Sequence, residues 1–169
     1  MKRKWEERIW NLIYGSRKIN EAIECLDEIL KKNPRNDKAL AIKANALNEL
    51  ANSEKNWQLS LEAIKCADEA LKINPNNGTA LFNKSWALID LGKPEEALKY
   101  SEKALEINPR NEYALYNKAW SYYLLGKRGK AIEYCNKALA ISPGNKTIEH
   151  GKTMFLKNEM PKHLQKFKR

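Results

Sequence analysis

Two asparagines and four aromatic residues recur in this chain at one fixed interval: Asn117 follows Asn83, Tyr116 follows Phe82 and Trp120 follows Trp86, each by 34 residues. An amide side chain donates and accepts at once, so a repeated asparagine suits the backbone of an extended peptide. Tryptophan buries a large rigid area at low entropy cost and is enriched at binding hot spots. These types support recognition rather than bond-making. Cys25, Cys66 and Cys135 lie among apolar neighbours, with no histidine or basic partner placed to stabilise a thiolate, and read as inert core thiols. His150 and His163 have no companion ligands, and three cysteines without a CxxC give neither zinc spacing nor a disulfide framework. GKPEE and GKRGK look like phosphate loops only superficially, since the strand and the spacing are missing. No metal, no cofactor and no enzymatic activity are expected.

Residues that repeat must be held by elements that repeat. Residues 78–109, GTALFNKSWALIDLGKPEEALKYSEKALEINP, align without a gap on residues 112–143, EYALYNKAWSYYLLGKRGKAIEYCNKALAISP. Ala80 falls on Ala114, Gly92 on Gly126, Ala97 on Ala131, Ala104 on Ala138 and Pro109 on Pro143. Each unit reads as a helix stopped by glycine, then a second helix stopped before proline. Pro94 sits just inside a second helix, where its missing N–H is harmless, and Gly129 weakens the corresponding start. Residues 37–75 form a unit stretched by seven, because Pro34 and Pro75 stand 41 apart. The surplus lies in NSEKNWQLSLEA. Ser53 is the expected cap of a second helix extended backwards by about two turns, with Trp57, Leu61 and Ile64 on one face. Residues 4–34 form a degenerate unit in which Trp5, Ile9, Leu12 and Ile13 precede Gly15, and Ala22, Leu26 and Ile29 follow. After Pro143, residues 145–160 predict a marginal capping helix carrying Ile148, Gly151 and Phe155. Residues 161–169 predict a mobile tail.

The net charge of +10 suggests a phosphate-binding surface until it is located. Residues 1–18 carry +4, residues 146–169 carry +5, and everything between carries only +1. Nucleic-acid affinity comes from basic side chains gathered where the strand lies. Basic ends on a neutral middle fit polar terminal caps instead, which argues against nucleic acid as a partner. No apolar run approaches the ~18 residues of a membrane span, and the start MKRKWEERIW is too charged for a signal peptide. The expected compartment is the cytoplasm.

A 34-residue period of helix, turn, helix and proline resembles the tetratricopeptide repeat. The resemblance implies an all-α fold, a right-handed solenoid of antiparallel helix pairs with about four units and a C-terminal capping helix, forming a single domain over residues 1–169. It also implies a scaffold that binds a protein or peptide. In that family the first helix of each pair lines a concave groove, which here brings forward Asn45, Phe82, Asn83, Trp86, Tyr113, Tyr116, Asn117, Trp120 and Tyr123. Asn83 and Asn117 would fix a peptide backbone, while Phe82, Trp86, Tyr116 and Trp120 would offer apolar pockets. The competing reading packs both tryptophans between neighbouring helices. The family's carboxylate clamp for chaperone C-terminal tails is incomplete: Asn45 and Asn83 match, but Ala41, Tyr113 and Asn117 stand where basic residues belong. An alternative is a self-assembling module, a homo-oligomer in which a neighbouring chain's tail, with Leu164 and Phe167, fills the groove.

Overall fold

The computed structural model describes residues 4–165 and residue 167. The described residues form helices and turns, with no strand among them. The chain divides into two compact units, Met1–Asn83 and Lys84–Arg169. The first holds α1 (Lys4–Trp10), a π-helical turn (Asn11–Gly15), α2 (Ile19–Lys32), α3 (Asp37–Glu54), α4 (Gln58–Ile73) and the start of α5 (Gly78–Asp90). The second holds the rest of α5, then α6 (Pro94–Ile107), α7 (Glu112–Leu124), α8 (Arg128–Ile141), α9 (Lys146–Lys157) and the short α10 (Lys162–Gln165).

Four helices begin the same way. Asn36, Asn77, Asn111 and Asn145 each precede a helix, and each side-chain oxygen accepts from the amide three residues on: Ala39, Ala80, Ala114 and Ile148. Such a cap satisfies a helix donor that would otherwise be orphaned, and contributes about 1 kcal/mol. Each cap stands two residues after a proline that ends the preceding helix. The helices also stop alike: Gly92 and Gly126 take positive φ, 69° and 72°, and the next amides, Lys93 and Lys127, reach back to the carbonyls of Leu88 and Tyr122. Only a left-handed residue permits that closure cheaply, hence glycine.

The stretched unit corrects the expectation that its second helix extends backwards from Ser53. Ala51 stands where Gly92 and Gly126 stand, and alanine is the best helix former. The first helix therefore runs on, and α3 has 18 residues against 13 for α5 and α7. It closes at Lys55, with φ 54°, and the Asn56 amide bonds the Ala51 carbonyl as the glycine-closed helices do. Ser53 lies inside α3 and donates to Leu50 O. The second helix, α4, gains only two residues, 16 against 14 in α6 and α8.

Packing within each unit rests on small residues. In the first, Ile9, Ile13, Ala22, Leu26, Ala39, Ile42 and Ala46 form one buried cluster, with Trp5 and Trp10 against it. In the second, Ala97, Ala104, Ala131 and Ala138 are fully buried where paired helices approach, and Ser85 Oγ donates to Ala97 O at 2.8 Å. A charged rung ties a second helix to the following first helix in both units: Lys43 to Asp27, and Lys118 to Glu102 at 2.9 Å. Burial is the largest single influence and lowers both lysine pKa values, but the hydrogen bonds to these carboxylates and the neighbouring negative groups together outweigh it and raise them. No helix among the described residues is long and apolar enough to cross a membrane.

The thiols lie on the second helices α2, α4 and α8. Burial pushes Cys66 up to about 11 and Cys135 up to about 12. The thiolate fraction of Cys66 near pH 8 is then about a hundredfold below that of an ordinary cysteine, since only the thiolate reacts. A thiol-specific chromogenic reagent at pH 8 is expected to modify Cys66 about a hundredfold, and Cys135 about a thousandfold, more slowly in the folded chain than in denaturant. Comparable rates would contradict the burial described here.

Candidate functional site

Within the first unit, the asparagines of the first helices form a buried polar chain. Tyr14 Oη donates to Asn45 Oδ1 at 2.9 Å, Asn45 Nδ2 to Asn83 Oδ1 at 3.3 Å, and Asn83 Nδ2 to Ala41 O at 3.2 Å. Asn48 Nδ2 donates to Asn83 O at 3.0 Å. Asn83 is 0% exposed, so its amide stitches α5 to α3. Such a seam holds the helices because breaking any one of its bonds leaves a buried amide without a partner; Asn48 Oδ1 alone in it has none among the described residues. Phe82, beside it, is half-buried.

In the second unit α7 presents a set of rings. Tyr113 is 49% exposed. One turn on, Tyr116 Oη donates to Thr147 O of α9 at 3.1 Å. The ring passes so close to α9 that a Cβ on Gly151 would lie 2.1 Å from Tyr116 Oη. The glycine that makes α9 marginal as a helix is thus what lets it approach. Trp120 meets Tyr116, Tyr123 and Phe155 edge-on, at 6.2, 6.0 and 4.7 Å between ring centres. Tyr123 stacks on Phe155 at 4.3 Å and is buried. Burial raises the pKa of both phenols, against a hydrogen bond from the Trp120 indole at Tyr116. Asn117 is also buried, on the same helix. Trp120 therefore packs between helices while keeping part of its surface open.

The C-terminal residues correct the expectation of a mobile tail. Asn158, with φ 58°, ends α9, and Glu159 N returns to Met154 O. The chain then turns onto the face formed by α5 and α7. Tyr123 Oη donates to Glu159 O at 2.9 Å, with Asn158 Oδ1 at 3.3 Å. Met160 is buried, and Leu164 is 2% exposed. The Phe167 ring lies over Gly92, where any Cβ would meet it at 2.3 Å. His163 Nε2 stands 3.7 Å from Asp90 Oδ1. Burial raises the Asp90 pKa above the usual carboxylate range, opposed by His163 and by the Trp86 indole. The expected tail also included residues 166, 168 and 169, which lie outside the described residues.

Of the nine residues singled out in the sequence, the second unit brings Trp86, Tyr113, Tyr116, Asn117, Trp120 and Tyr123 onto α5 and α7, while Asn45, Phe82 and Asn83 belong to the first. The sequence reading missed Phe155 as a site member, whereas it put Asp90 on the groove-facing stripe of α5 without giving it a role. Asp90 had a signal: it follows Trp86 by four, on the same helix face. Among the described residues, no three His, Cys, Asp or Glu side chains gather as metal ligands.

The family model described as Tetratricopeptide repeat matches the sequence over residues 60–112 and 82–146. Solved structures agree along most of the chain. TTC0263, a thermophilic TPR protein of Thermus thermophilus, superposes with a TM-score of 0.70 at 19% identity, covering 86% of this chain and 76% of that one. MamA (41-end) from Desulfovibrio magneticus RS-1 gives 0.67 at 19% identity, over 91% of this chain and 82% of that one. The TPR domain of Arabidopsis OM64 gives 0.59 at 26% identity, over 72% of this chain and 94% of that one. These likenesses show the fold, an all-α solenoid of helix pairs. No curated protein sequence matches the chain.

Proposed function

Because this chain belongs to the tetratricopeptide repeat family, we propose that it is a cytoplasmic, non-enzymatic adaptor that holds a peptide segment of another protein on the first helices of its repeats. Repeats of this family are protein-interaction scaffolds, and that much comes with membership. The finer reading assigns contact to the partly exposed rings Trp86, Tyr113, Tyr116 and Trp120. It gives Asn45, Asn83, Asn117 and Tyr123, all buried, the task of holding the helices in place. One observation carries it: this face already grips a chain segment through its main chain, by the Tyr123 hydrogen bond to Glu159 O. A surface that binds a carbonyl with a side-chain donor and apolar side chains in pockets is suited to peptides.

The test is selection of a displayed peptide library against the full chain, followed by affinity measurements on a selected peptide. Tyr113→Ala and Trp86→Ala are each expected to weaken binding at least about tenfold, as truncated aromatic hot spots do. Selected peptides that bind both folded variants as tightly as the parent would sink the reading. Self-assembly through a neighbour's tail is the rival. It is disfavoured because residues 159–165 and 167 lie on this face within their own chain, and it predicts a mass above one chain by light scattering.

A further inference from the structure

We infer that residues 158–165 and 167 are a resident pseudo-ligand of the α5–α7 face, and that the external segment able to replace them carries a lysine or arginine at the place of His163, followed by leucine and, three residues later, an aromatic ring. The inference rests on the peptide-binding reading above and specifies its ligand. A four-residue helix such as α10 has no stability of its own in water. Its conformation is imposed by the surface that buries Leu164 and Met160 and seats Phe167 on Gly92. Those contacts define the apolar part of the recognition pattern.

The polar part is defined by a mismatch. Asp90 is only 7% exposed, and among the described residues its Oδ2 has no hydrogen-bond donor. The imidazole of His163, a cation only when protonated, stands 3.7 Å from the other oxygen, beyond hydrogen-bond length. An imidazole is short and rigid. A guanidinium or ammonium on a longer stem reaches the carboxylate and supplies several donors, and an arginine engages both oxygens. A buried acceptor left without a donor is costly, so a competing segment that fills this vacancy gains where the resident does not. The resident is held well enough to cover the face and poorly enough to be displaced.

The experiment titrates two synthetic peptides by calorimetry: residues 158–169, and the same peptide with arginine replacing His163. They are added to the full wild-type chain and to two full-length variants with a released segment, L164E/F167E and H163E. Both released variants are expected to bind the native-sequence peptide at least tenfold more tightly than wild type does, because the resident no longer competes. The arginine peptide should bind at least tenfold more tightly than the histidine one, and Asp90→Asn in the L164E/F167E background should erase that difference. If either released variant retains its helical circular dichroism and binds neither peptide, the inference is overturned. Equal affinity of the two peptides overturns the ligand pattern. A wild-type mass of two chains that falls to one in L164E/F167E shows exchange between copies and overturns the intramolecular role. Library peptides that depend on Tyr113 and Trp86 while the released variants ignore both synthetic peptides would end this inference and leave the adaptor reading standing. The reverse pattern would do the opposite.

Discussion

Phe155→Ala is expected to destabilise the chain by about 3–5 kcal/mol, the range for removing a fully buried phenylalanine. The ring is 0% exposed, stacked on Tyr123 and met edge-on by Trp120. No single element can close the space it leaves, because α7 is fixed by its packing on α8 while α9 is anchored through Tyr116 to Thr147. Repeat architectures lose their ends first, since each pair contacts only its neighbours. Amide hydrogen exchange should therefore accelerate in α9 and α10 before any change in α2 or α3, and urea unfolding should begin at lower concentration. Phe155→Leu, which keeps most of the volume, should cost less than half as much as the alanine change. Equal losses for the two, or uniform acceleration along the chain, would refute the account of the C-terminal packing.

Asn83→Ala should cost about 1–3 kcal/mol, because it strands one buried donor, Asn45 Nδ2, while Ala41 O keeps its bond in the ladder of α3. The double change Asn45→Ala/Asn83→Ala is expected to cost less than the two single changes added together, since a stranded amide is itself removed. Chemical denaturation of the four chains closes that cycle. The same variants speak to function. If Asn83 only holds α5 against α3, a selected peptide should bind the folded Asn83→Ala chain within about twofold of the parent. A loss greater than tenfold without unfolding would return Asn83 to the peptide.

The repeat itself was legible because it is written twice with no gap. Gly92 and Gly126 are demanded by local backbone geometry, and Pro94 is favoured by it; signals of that kind survive without tertiary context. The asparagine caps were equally local, each two residues after a proline, and were available to be read. The stretched unit misled because the surplus was judged from serine as a cap, whereas the absence of glycine at Ala51 decided where the helix stopped. Burial of the tail was beyond a local reading. Leu164 and Phe167 in a basic terminus look solvated until Tyr123, Asp90 and Gly92 are brought beneath them. Gly151 shows the same limit: by propensity it weakens α9, and only the approach of Tyr116 explains its presence. Likewise the period brought Asn83 forward, but its burial in a seam depended on Asn45, which is not at the equivalent position of its own unit.

The packing of Trp120 has an optical consequence. Tyr116 and Tyr123 share α7 with it, whereas Phe155 comes from α9. Light absorbed by the two phenols passes to the indole as long as α7 stays wound, because all three chromophores ride on one helix. The colour of the emission answers to something else: it moves to the red when the apolar edge of Phe155 gives way to water. In a chain whose other tryptophans, Trp5, Trp10, Trp57 and Trp86, are replaced by phenylalanine, one fluorophore thus carries both a signal and its reference. The ratio of the two excitations monitors the winding of α7, and the wavelength monitors the docking of α9, in the same cuvette and without a label.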